Sequence, residues 1–219
     1  MLSNLIKIVV KYWPVFLEGL FNTVWIALVA IVLGTIFGTL IALVRMSKNK
    51  VASTAALVYI EVLRGTPMLL QFYFFWLGLP YLFPKMSNIS CALIALCINS
   101  SAYVAECVRA GIQAVDGGQR EAALSLGLTE KNIMRKIILP QAVKNILPAL
   151  GNEFIVMIKE TALASVFFVG ELMTAFKTVQ SNTFLGLEPL IVVGVIYLFI
   201  TLALSKGVKV VERRLNAND

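Results

Sequence analysis

Glu121-Ala122-Ala123-Leu124-Ser125-Leu126-Gly127, followed after nine residues by Ile137-Ile138-Leu139-Pro140, is a charged, helix-forming stretch in a chain that is otherwise mostly apolar. Charged residues recur through all of Asp116–Pro140, so this segment is not a membrane span. Ala122, Ala123, Leu124 and Leu126 suit a short helix, which Gly127 can end in the left-handed conformation. Thr129 is a good N-cap for a second short helix over Glu130–Leu139, with Glu130 favourable in its first turn. Pro140 is then expected to break the path into the next element. The segment reads as a helix–turn–helix lying beneath a membrane. Tethered between two apolar stretches, it has no recognition helix free to enter a DNA groove.

The composition supports that frame. Apolar residues make up 59% of the chain and charged residues 14%, against about 45–50% and 25% in soluble domains. Stretches such as Leu20–Val44 and Pro189–Ser205 are nearly free of charge. Backbone in lipid must satisfy its own polar groups, and no barrel-like alternation is present, so these are helices. The expected fold class is an all-α polytopic membrane protein: a single domain over 1–219 with five spans, about 17–44, 52–79, 89–115, 142–168 and 188–208, and a cytoplasmic loop at 116–140.

The net charge of +7 follows position rather than a nucleic-acid partner. Arg45, Lys48 and Lys50 fall between two spans, Arg109, Arg120, Lys131, Arg135, Lys136 and Lys144 in another connection, and Lys206, Lys209, Arg213 and Arg214 near the end. The connections between them hold little more than Lys85 and Lys177. By the positive-inside rule the N-terminus lies outside and the C-terminus in the cytoplasm. The first residues, with Tyr12 and Trp13, read as an interfacial segment rather than a cleaved signal. Glu171–Gln180 reads as a short amphipathic helix on the outside. Cys91, Cys97 and Cys107 lie in one apolar stretch, with neither a disulfide framework nor metal-ligand spacing. Gly34 and Gly38 form a small-xxx-small pair suited to close helix packing inside the subunit.

Charged groups at bilayer depth cost about 2.5–3.5 kcal/mol each and mark functional sites by default. At 1.5 Å per residue, Glu61 and Arg64, Asn99, and Glu153 all come out near the midplane of the second, third and fourth spans. Glu61 and Arg64, three apart, can pair on one helix face. Pro67, in Gly65-Thr66-Pro67, leaves the carbonyl of Leu63 without its helical partner, and such breaks are tolerated where backbone lines protein or water. Glu153 needs a partner from another helix, such as Arg64, a proton, or a cationic ligand. Asn99, Ser100 and Ser101 can supply neutral hydrogen bonds or merely pack. Lys159 and Glu160 sit nearer the outer face, as a gate or as snorkelling anchors.

The chain has no histidine, which removes Ser-His-Asp, Cys-His and His-ligated zinc chemistry. It has no phosphate-loop motif, so ATP, if used, binds to another chain. Spaced as Glu-Ala-Ala, three residues, Gly, nine residues, Ile, one residue, Leu-Pro, the opening stretch resembles the cytoplasmic loop of permease subunits of type I ATP-binding-cassette importers, polar amino acid branch. Tyr59–Pro67, Asn99–Glu106, Gly111–Val115, Leu150–Phe154 and Lys159-Glu160-Thr161 carry the same resemblance over nearly the whole chain. One departure is Gly117-Gly118, where the family often has a proline before the final Gly-Gln; the turn is expected to survive.

The resemblance implies a subunit of the bacterial cytoplasmic membrane that pairs with an identical or paralogous permease and sits on two ATPase subunits. ATP and magnesium belong to those partners, with no cofactor on this chain, and an extracytoplasmic binding protein delivers the solute. It places Glu121, Ala122, Ala123, Leu126 and Gly127 in the coupling element. Asn99 and Glu153 line an amino acid site to which Ser100, Arg64, Glu61 and Thr66 are candidate contributors. A carboxylate at Glu153 favours a basic amino acid. Two rivals are a proton-coupled secondary carrier using Glu153 and Glu61, and a membrane enzyme, for which no nucleophile–base pair is present.

Overall fold

Two glycines on the first helix determine how the bundle closes. In the computed structural model, which describes residues 1–216, α1 (Leu2–Arg45) packs along α4 (Asn88–Gln113) more extensively than any other pair. A Cβ at Gly34 would stand 2.4 Å from Ser100 Oγ, and one at Gly38 would stand 2.6 Å from the Ser101 carbonyl oxygen. Only the absence of a side chain lets the two helix backbones approach this closely. The Gly34–Gly38 pair therefore serves packing within the subunit. Residues 217–219 of the expected 1–219 domain lie outside the described residues.

The remaining helices are α2 (Lys50–Gly65), α3 (Met68–Leu82), α5 (Gly117–Ser125), α6 (Glu130–Ile133), α7 (Leu139–Glu160), α8 (Leu172–Thr183) and α9 (Leu187–Asn216). A π turn over Met134–Ile138 joins α6 to α7, and a 3-10 helix over Thr161–Phe167 follows α7. Among the described residues, three helical stretches, Leu2–Arg45, Asn88–Gln113 and Leu187–Leu215, are long and apolar enough to cross a membrane on their own. The second expected span is divided at Thr66-Pro67 into α2 and the short apolar α3, and α7 carries Lys144, Glu153, Lys159 and Glu160.

Two expectations about the loop are corrected, and the start of the chain is continuous with the first helix. The N-terminal residues join α1 without a break, from Leu2 through Pro14. The second helix of the loop does not extend as α-helix to Leu139; α6 ends at Ile133 and the π turn takes over. Pro140 does not break the path, but lies in the first turn of α7. A first-turn proline forfeits no helical hydrogen bond. The wider π register ahead of it eases the clash a proline ring makes with the carbonyl four residues back.

Packing is apolar throughout. Ile26, Ala30, Phe72, Leu96 and Ile158 form one core cluster, Ala42, Ile60, Val104, Val108 and Ile146 a second, and Ile8, Phe16, Leu172, Val179 and Val193 a third. Large apolar side chains, among them Phe21, Phe74, Leu198 and Phe199, are also exposed around the outside. Such a perimeter is unstable in water and natural in lipid, where burial of apolar surface no longer distinguishes core from surface. Glu171, fully buried, caps α8: its carboxylate accepts from the Met173 and Thr174 amides, both at 2.7 Å, and from the Tyr197 hydroxyl at 3.2 Å. Burial pushes the Glu171 carboxyl above the usual range despite those donors.

Candidate functional site

The break between α2 and α3 is held together by one side chain. Gln71, buried one turn into α3, donates from Nε2 to the Leu63 carbonyl at 2.7 Å, and to Thr66 Oγ1 and the Thr66 carbonyl at 2.9 and 3.2 Å. The Leu63 carbonyl that Pro67 deprives of a helical donor thus receives one from a side chain, as buried backbone must. Thr66 Oγ1 itself donates to the Val62 carbonyl at 2.8 Å. On its other side Gln71 accepts from Asn99 Nδ2 at 2.9 Å, tying the break to the middle of α4. Gln71 was absent from the sequence-derived site. Its signal is a lone amide four residues after Pro67 in an otherwise apolar run.

Arg64 does not pair with Glu61. Its Nη1 lies 4.0 Å from Glu106 Oε2 on α4, and its guanidinium stands 5.5 Å from the Tyr103 ring centre. Position in the helix explains this: Arg64 is at the last turn of α2, where the chain departs from helical geometry and frees the side chain to reach across. Glu106 is also held by Arg109 one turn further on, through Nε at 2.9 Å and a second contact from Nη2. Glu61 is exposed, with no ion pair among the described residues. Glu106 and Arg109 are the second pair that the sequence reading passed over, although Glu-x-x-Arg in an apolar stretch announces them.

Glu153, on α7, is 8% exposed, and its Oε1 has no hydrogen-bond partner. A buried acceptor without a donor is costly, and with Arg64 engaged by Glu106 the carboxylate is left for another cation or a proton. Asn99 is committed to Gln71. The Ser100 hydroxyl is buried without a partner and points into the α1 seam at Gly34. Ser101 instead bonds the Tyr59 hydroxyl at 2.7 Å. Lys159 is exposed and Glu160 half-buried at the end of α7.

The loop shows a second organised region. Asp116 caps α5 by accepting from the Gly118 amide at 2.7 Å, so the turn forms without the proline. Gly127 has φ +79°. The Gly127 amide bonds the Leu124 carbonyl at 2.9 Å and the Leu128 amide the Ala123 carbonyl at 3.1 Å, the paired bonds of a Schellman motif. Thr129 begins α6 without a side-chain cap bond. Ala123 turns inward onto Ile133 and Ile138, whereas Glu121, Ala122 and Leu126 face out, with Leu126 82% exposed. Arg120 forms a two-pronged ion pair with Glu130, holding that carboxyl below its usual range.

Apolar helices that surround a polar cluster and project a capped helix pair define the membrane component of a transport system. The chain belongs to the family described as binding-protein-dependent transport system inner membrane component, whose match covers residues 30–217. The arginine transport system permease protein ArtQ of Bacillus subtilis (strain 168) is 41% identical over 207 residues, 94% of either chain. The glutamine transport system permease protein GlnP of Escherichia coli (strain K12) is 38% identical over 204 residues, 92% of this chain and 93% of its own. A crystal structure of an amino acid ABC transporter with histidines superposes at a TM-score of 0.91 with 48% identity, covering 94% of this chain and 96% of that one. The chain is therefore the multi-pass permease subunit of an ATP-binding-cassette importer, working with a separate ATPase and a binding protein. A proton-coupled carrier is not favoured.

Proposed function

We propose that this permease carries a polar, basic L-amino acid inward by alternating access. The observation that carries the reading is Glu153: a buried carboxylate oxygen without a donor, in a chain whose neighbouring cation is already taken by Glu106. A cationic side chain is the ligand that satisfies such a group at least cost. Relatives named for arginine and for glutamine fit a polar amino acid in general; the carboxylate supports the basic choice. In this reading Asn99 and Thr66, joined through Gln71, border the solute path with Arg64. Glu61 and Ser100 contribute less, one facing out and the other facing α1. Lys159 and Glu160 form the outer gate.

Five spans, with α2 and α3 together making one, place the N-terminus outside and the C-terminus in the cytoplasm. Two permeases, identical or paralogous, stand on two ATPases that bind ATP and magnesium. Glu121, Ala122 and Leu126 meet the ATPase groove, Ala123 anchors the element to the loop's own core, and Gly127 sets its angle. Closure of the ATPases draws the coupling helices together and opens the path outward.

The test is uptake into proteoliposomes containing the permease with its ATPase and binding protein. Glu153→Gln keeps the shape and removes the charge. With a charge-assisted hydrogen bond worth about 1.5–3 kcal/mol, uptake affinity for arginine is expected to fall about tenfold or more while glutamine uptake changes far less. Unchanged arginine uptake, or equal loss for every solute together with loss of the folded protein, overturns the assignment.

A further inference from the structure

On the side of α4 away from the polar cluster, α1, α2 and α4 enclose an apolar groove of about 640 Å³ that runs along α1 from Val29 to Val44. Leu33, Phe37 and Leu40 form its exposed wall, with Phe37 52% exposed. Tyr59 and Ser101 are the polar residues in its lining, and they bond each other at 2.7 Å. Tyr59 also reaches the Ile98 carbonyl at 3.2 Å, and Ser101 donates to the same carbonyl. The groove therefore asks for hydrocarbon. Arg45 directly follows Val44 in the chain, and Lys48 in the turn and Lys50 at the start of α2 are both exposed. Arg45 is oriented by a bond from Nη1 to Ser53 Oγ at 2.8 Å.

We propose that this groove is a binding site for one acyl chain of an anionic glycerophospholipid, whose phosphate lies among Arg45, Lys48 and Lys50. Length and charge select this occupant. Fifteen residue steps of α1 span about 22 Å, somewhat more than the roughly 15 Å of one leaflet's hydrocarbon. An apolar slot whose last α1 residue, Val44, is followed within six residues by three cations matches a molecule with a long tail and a negative head, and juxtamembrane basic clusters attract anionic lipid. A second copy of the permease is disfavoured by helix geometry. At 100° per residue, Leu93, Ile94, Cys97 and Ser101 occupy the opposite face of α4 from Asn99, Tyr103 and Glu106. A partner that closes over the polar face leaves the groove to the bilayer. The site does not depend on which solute is carried.

The test uses the intact permease–ATPase complex, delipidated in mild detergent and titrated with phosphatidylglycerol or phosphatidylcholine while native mass spectrometry counts retained lipid. One phosphatidylglycerol per permease is expected, with phosphatidylcholine retained more weakly. Lys48→Gln and Lys50→Gln, both surface changes, should each weaken phosphatidylglycerol about fivefold and leave phosphatidylcholine unchanged. Cys97→Trp, which fills the groove, should abolish retention of both. Retention of neither lipid by the wild type, equal affinity for the two headgroups, or undiminished binding to a folded Cys97→Trp complex overturns the proposal. So does a Phe37→Cys disulfide between two permeases, which would place a second copy in the groove.

Discussion

The protein contains two Arg–Glu assemblies that look alike on paper and differ in consequence. In the loop, Arg120 and Glu130 are 54% and 59% exposed and bridge two short helices. Between α2 and α4, Glu106 is held by Arg64 and Arg109, with side chains 27–37% exposed. Water can replace either partner of the first pair, so the contact orients the helices without strongly stabilising them. The second assembly is about half as exposed as the first and ties α2 to α4, so screening by water weakens it less. Identical chemistry serves as a positional clip in one place and as an obligatory partnership in the other.

Breaking the inner assembly gives the largest expected effect. Glu106→Gln removes the one carboxylate that Arg64 and Arg109 share; Arg109 keeps Gln113 as a partner and the side chains are 27–37% exposed, so the loss falls well below the about 3–5 kcal/mol of a fully buried pair. Thermal unfolding of the purified complex should show the loss, and uptake should fall for all solutes. Wild-type stability in Glu106→Gln would mean that the cluster is solvated like the loop pair. Glu153→Gln sharpens the contrast: with no partner to strand, it should leave the unfolding temperature unchanged or raised while basic amino acid uptake drops.

In the loop, Gly127→Asp forces a side chain into φ +79°. That costs about 1–2 kcal/mol locally, and the main readout is mechanical. Solute-stimulated ATP hydrolysis and co-purification of the ATPase should collapse while the permease stays inserted. Glu121→Lys should uncouple in the same way with no loss of stability. The smallest effect belongs to Arg120→Gln. Because Arg120 depresses the Glu130 carboxyl, their pairing is present above the ordinary carboxylate range and fades as pH falls through the lowered folded value. A slight loss of ATPase affinity that is already gone in acid is the expected signature, and a pH-independent defect would assign Arg120 to the ATPase contact itself.

The regions also differ in how much their letters disclosed. The turn at Gly127 was legible because a glycine after a short helix has one common use, and the geometry there is local. The break at Thr66-Pro67 was legible for the same reason. What completes it was not: Gln71 supplies the missing donor through tertiary placement, and a glutamine in an apolar run has many other uses. Spacing offers Arg64 two partners, Glu61 on its own helix and Glu153 on another, but the end of α2 lets it reach Glu106, forty-two positions on in sequence. The π turn before Pro140 was equally hidden, since no residue type encodes it and only the strain of a proline in a continuing helix calls for it.

One amide deserves a mechanical reading. The Leu63 carbonyl, the Thr66 carbonyl and the Thr66 hydroxyl all converge on the same nitrogen of Gln71, while its oxygen accepts from Asn99. A helix interrupted by proline would ordinarily loosen bond by bond, fraying outward from the gap. Here four of the joint's hydrogen bonds, one of them to α4, pass through the single side chain of Gln71. The joint between α2 and α3 therefore leans on one residue rather than on a row of backbone bonds, and that residue touches Asn99 directly.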